Sequence, residues 1–122
     1  MTRADIYTWR DPSWKSLDPI GFEVIAIDGP IGKVDEETMR GNGDLLVVDT
    51  GPMIFGEKVV VPVGLVVAVD LDGGRLFVEC TKHEITTGPK FADDRLRDER
   101  FRAEVGRHFG NRRAPIAPSE RR

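Results

Sequence analysis

Short β-branched apolar runs, each closed by Gly, Pro, Asn or Asp, set the rhythm of this chain. The densest pair is Leu45-Leu46-Val47-Val48 and Val59-Val60-Val61-Pro62-Val63, joined through Thr50-Gly51-Pro52. Apolar runs of four or five residues between turn residues predict strands, and two so joined predict a hairpin over 45–62. Gly21-Phe22-Glu23-Val24-Ile25-Ala26-Ile27 predicts a first strand, with Phe22, Val24 and Ala26 on one face and Glu23, Ile25 and Ile27 on the other. Asp28-Gly29-Pro30 turns the chain into a more polar strand over 31–38, expected at a sheet edge because Lys33, Asp35, Glu36 and Glu37 discourage strand addition. Residues 65–70 and 75–80 predict a fifth and a sixth strand around Asp72-Gly73-Gly74.

The apolar pattern then lengthens. Residues 82–89 predict a helical turn with Thr81 as its cap, stopped by Gly88-Pro89. Residues 92–109 predict the one longer helix, with Asp93 and Asp94 near its start, a stripe of Leu96, Phe101, Val105 and Phe109, and an Asp98–Arg102 pair one turn apart. Three of the runs, 45–48, 59–63 and 65–69, are apolar on both faces. A small barrel hides only its inner face, so the outer one needs a cover: the N-terminal arm, the C-terminal helix or a second copy of the chain. The arm, residues 1–20, holds Tyr7, Trp9 and Trp14, which are the single Tyr and both Trp. It either seals the strands or offers an aromatic hot spot to a partner.

With 122 residues, 39% hydrophobic and 32% charged, the chain has room for one domain and one modest core. The expected division is arm 1–20, barrel 21–92, helix 93–110 and a disordered Arg/Pro-rich tail over 111–122. The net charge of −3 gives no general pull toward nucleic acid. It is unevenly spread: residues 1–89 hold 8 basic and 15 acidic side chains, residues 90–122 hold 10 and 6. The single Cys80 excludes an internal disulfide, no apolar run reaches membrane-spanning length, and the first residues lack a signal-peptide core, so a cytoplasmic location is expected.

The six short strands, the Thr81-Lys82 turn with Ile85 that ends in Gly88-Pro89, and the phrases Gly21-Phe22-Glu23-Val24, Asp28-Gly29-Pro30-Ile31-Gly32-Lys33-Val34, Leu46-Val47-Val48-Asp49-Thr50-Gly51 and Val60-Val61-Pro62 together resemble the PRC-barrel family. The likeness is greatest to its small stand-alone actinobacterial members. There Trp recurs where this chain has Met53, between Pro52 and Ile54. The resemblance covers about residues 20–92. It implies an all-β fold, a small six-stranded PRC-type β-barrel, to which the residue pattern adds the N-terminal aromatic arm and the C-terminal α-helix. It also implies an adaptor that binds proteins and pairs with itself, with no shared catalytic set.

The chemistry-bearing residues fit that expectation. His83 beside Glu84 has no accompanying nucleophile pattern. Cys80 has no second Cys and shares the phase of Leu76 and Val78, which makes it a core thiol. Asp35, Glu36 and Glu37, if on a strand, point to alternate faces and cannot converge on a cation. No enzyme activity, cofactor or metal is expected. The expected partners are a second copy in a homodimer and a further, unidentified protein. The docking residues expected for them are Met53, Ile54 and Phe55 at the hairpin tip, Trp9 and Trp14 in the arm, and Phe101 and Val105 on the helix. The alternative is an RNA- or ribosome-associated factor that uses Arg107, Arg112 and Arg113. Against it, Asp98, Glu99 and Glu104 are interleaved with the arginines, as on a solvated helix face.

Overall fold

Backbone hydrogen bonds join six short strands into one sheet in the computed structural model, which describes residues 5–51, 57–92 and 95–110. The strands are β1 (Glu23–Ala26), β2 (Gly29–Val34), β3 (Leu45–Asp49), β4 (Lys58–Pro62), β5 (Val66–Asp70) and β6 (Arg75–Val78). Their order across the sheet is β4-β3-β2-β1-β6-β5. Every pairing is antiparallel except β1 with β6. That parallel pair returns the last strand to the first, so the chain's two hairpin runs meet in mid-sheet. The domain is mainly β, as the runs predict. The ladder is open, however, with β4 and β5 as its two ends, where the sequence suggests a closed barrel.

The β2 segment departs from expectation in a way that its side chains explain. It ends at Val34 and lies inside the sheet, between β1 and β3, not at an edge. The Asp35 carboxylate accepts the Glu37 N–H and starts a 3-10 turn, Glu36–Arg40. The β2–β3 ladder therefore has only two registered pairs, Lys33 with Asp49 and Val34 with Val48. The chain makes up for the missing partner. The Asp35 N–H donates to the Val47 carbonyl at 2.7 Å, and buried Thr38 Oγ1 accepts the Val47 N–H at 2.8 Å. Gly32 is required at the crossing, since a Cβ there would run into the Asp49 carbonyl.

Two helices complete the fold. The first, α1 (Lys82–Thr86), has the predicted Thr81 cap, closed as a capping box with Glu84. The second, α2 (Glu99–Phe109), starts later than the sequence suggests. Asp98 caps it by accepting the Arg100 N–H at 2.9 Å, while the expected caps, Asp93 and Asp94, lie outside the described residues. Asp98 consequently pairs with Arg95, not with Arg102. The predicted stripe is real: Leu96, Phe101, Val105 and Phe109 are all buried in one cluster with the strands, and so is Cys80. His108 Nε2 lies 2.6 Å from the Glu84 carbonyl and ties α2 to α1.

Candidate functional site

The two halves of the sheet meet solvent differently. In the β3–β4 half, Leu45, Leu46, Val47, Val48, Val59, Val60 and Val61 are all buried, on both faces. The arm and α2 add to this core. Ile6, Tyr7, Trp9 and Trp14 of the arm pack against the same core that holds Phe101, Val105 and Phe109. The free edge of β4 is shielded as well, by a bridge from Val59 to Lys90 and a Phe91 N–H bond to the Lys58 carbonyl.

The arm is fastened at two points. Gly64, in the 3-10 turn Val63–Leu65, donates its N–H to the Ile6 carbonyl at 2.8 Å and accepts Arg10 Nε at 2.7 Å. Arg10 continues to Glu79 at 2.6 Å. The second point is Tyr7. Its hydroxyl donates to the Arg102 carbonyl at 2.6 Å, and the Arg102 guanidinium stacks 4.6 Å over its ring. Arg102 in turn makes a two-pronged bond to Asp44, at 3.1 and 2.8 Å. Arm, α2 and the loop before β3 thus converge on one node. Burial raises the Tyr7 pKa above its ordinary value, opposed by Arg102 and assisted by Asp44 and Asp5. The Asp44 hydrogen bond raises that of Arg102.

Beside this node the arm roofs a cleft of about 440 Å³, lined by Tyr7, Trp9, Pro12, Lys15, Asn42 and Asp44 among others. Trp9 meets Trp14 edge-on at 6.3 Å. Of the residues lining the cleft, Tyr7 and Asp44 are engaged with Arg102.

The other half of the sheet is a surface. The inward residues of β1, β6 and β5 (Val24, Ala26, Leu76, Val78 and Val66) are buried. Their neighbours along the strands face outward, and the strand register sets them in two parallel rows. The apolar row runs Pro30–Ile25–Phe77–Ala68 across β2, β1, β6 and β5. Two residues along, the charged row runs Lys33–Glu23–Arg75–Asp70. Arg75 is shared between Glu23 at 3.7 Å and Asp70 at 3.3 Å. Ile27, 65% exposed, extends the apolar side beyond Ile25, and Val67, 43% exposed, does so from a β-bulge in β5. A bulge between the Val24 and Ile25 pairings of β2 sends Ile31 to the core and leaves Pro30 and Lys33 outside.

The residues expected to dock a partner are not gathered in one place. Trp9 and Trp14 are half-buried in the arm, and Arg107 is exposed on α2. Phe101 and Val105, at 1% and 0% exposed, belong to the core. Met53, Ile54, Phe55, Arg112 and Arg113 lie outside the described residues. The outward rows escaped sequence reading. The alternation of β1 places Glu23, Ile25 and Ile27 on a common face, but which residues continue that face on β6 and β5 depends on the parallel register. Among the described residues no three His, Cys, Asp or Glu side chains group to hold a metal ion, and no helix is long and apolar enough to cross a membrane. No protein-family model matches the chain, and no curated protein matches it.

Proposed function

We propose that this chain is a non-enzymatic protein–protein interaction module of the PRC-barrel type, acting as an adaptor and associating with itself. The observation that carries the reading is the open outer face of β2, β1, β6 and β5. Its apolar row joins half-buried Ile25 and Phe77 to exposed Pro30 and Ala68, and exposed Ile27 and Val67 extend it, whereas the apolar residues of β3 and β4 are buried on both faces. Contiguous apolar surface rimmed by charge is the composition of a docking site. The barrel class rests on the sequence phrases that resemble that family, and the 3-10 turn Val63–Leu65 links β4 and β5, the two ends of the ladder.

Sedimentation equilibrium across a dilution series tests the reading on the full chain and on Phe77→Glu. The wild type should pass from dimer to monomer on dilution. The variant should stay monomeric with its circular dichroism intact, since Phe77 points away from the core. Equal self-association in both proteins would move the interface off this face.

A further inference from the structure

We infer that the occupant of this sheet face is a second copy of the chain, docked face to face about a twofold axis that runs along the strands between β1 and β6. The inference rests on the self-association proposed above and names its geometry. It follows from the order of charges in one row. Lys33, Glu23, Arg75 and Asp70 alternate in sign across four neighbouring strands. Such a row is antisymmetric about its midpoint, which falls between Glu23 and Arg75.

A twofold axis in the plane of the contact can lie in either of two simple directions. An axis along the row would set every charge over its own copy, Lys33 on Lys33 and Asp70 on Asp70, and like charges so placed repel. An axis along the strands, through the midpoint, reverses the row. Glu23 then faces Arg75 of the second copy, and Lys33 faces Asp70 of the second copy, each contact made twice. The same operation sets Ile25 against the second copy's Phe77 at the centre, and Pro30 against its Ala68 at the flanks. Two sheets stacked with their strands nearly aligned is also an ordinary packing mode. Edge-to-edge pairing through β5 is a poorer alternative. The bulge at Val67 breaks that edge, and such pairing would leave the apolar row in water.

The face is small. Four strands about 4.8 Å apart and roughly five residues long give ~300 Å² per copy. A stable interface takes about 800 Å² from each partner, so the dimer is weak and concentration-dependent. Salt weakens it further because the facing charges are exposed.

Charge swapping tests the arrangement. Glu23→Lys and Arg75→Glu each set like charges face to face twice per homodimer, and each should raise the dimer dissociation constant roughly 10- to 100-fold. Mixed in equal amounts, the two variants form a heterodimer in which both of these contacts are again opposite in sign, and dimer mass should return. The double variant E23K/R75E restores the contacts within one chain. It should dimerise like the wild type, and it keeps the test valid if either single variant folds poorly. Dimeric wild type with no recovery in the mixture or the double variant overturns the geometry and leaves the self-association reading standing. A wild type that stays monomeric up to millimolar concentration overturns both. Single variants that dimerise as tightly as the wild type overturn the geometry alone.

Discussion

The β3–β4 hairpin and the β1–β6–β5 strands are built from the same kinds of residue and meet opposite fates. Val47, Val48, Val60 and Val61 are sealed on both faces, whereas Ile25, Phe77, Ala68 and Val67 keep one face toward solvent. Residue composition does not separate them, but the path of the chain does. The arm and α2 are fastened at the margins of the first half, the arm at Gly64 just past β4 and both at the Tyr7–Arg102–Asp44 node just before β3. The arm meets the second half at the end of β6, where Arg10 pairs with Glu79 at 2.6 Å. One half therefore serves stability, and the other is left as surface. The sheet has two unlike halves because the arm and α2 are fastened chiefly beside one of them.

The comparison breaks most sharply at two phenylalanines. Phe101→Ala empties a fully buried site beneath α2 and should cost about 3–5 kcal/mol of unfolding free energy in a urea titration. Phe77→Ala, on the outer row, should cost about 1 kcal/mol or less by the same measurement. Similar losses at both positions would mean that the outer row is part of the core. A smaller effect is expected at Gly64. A Cβ there would stand 2.5 Å from the Asp5 carbonyl oxygen and 2.6 Å from Ile6 Cα, and both are backbone atoms that cannot rotate away. Gly64→Ala should lift the arm at about 1–3 kcal/mol. Because Trp9 and Trp14 are the only tryptophans, the fluorescence maximum should move to the red without loss of the sheet signal. An unshifted maximum would show that the arm is held without Gly64.

The strands, the capped turn before Gly88 and the buried stripe on α2 were legible because each follows from local spacing. The cap of α2 is Asp98, a position that local pattern does not single out because Asp93, Asp94 and Asp98 offer the same chemistry. The partner of Arg102 was misplaced for a related reason. Asp98 sits one turn away in sequence, yet Asp44 reaches the guanidinium with both oxygens from 58 residues away. The outer rows depend on long-range register alone: Glu23 meets Arg75 only because β6 returns parallel to β1. Local pattern shows that a strand has two faces, but which residues on other strands share a face is a property of the whole sheet.

The smallest expected effect sharpens the account of the covered half. Tyr7→Phe removes the hydroxyl that binds the Arg102 carbonyl and should cost about 1 kcal/mol at neutral pH. The more telling readout is pH. Burial lifts the Tyr7 pKa above its ordinary value of 10.0, so the folded state holds that proton more tightly than the unfolded chain does. The contribution is complete below the unfolded value and fades as pH rises through the folded one. Stability of the wild type should therefore fall above about pH 10, as ionisation takes away the donor and places a phenolate in a half-buried site. In Tyr7→Phe that part of the alkaline fall should be missing, so the two stability curves should converge as pH climbs. Parallel curves would mean that the hydroxyl is equally free in both states, and that the arm is held at Gly64 and by its indoles without help from the α2 backbone.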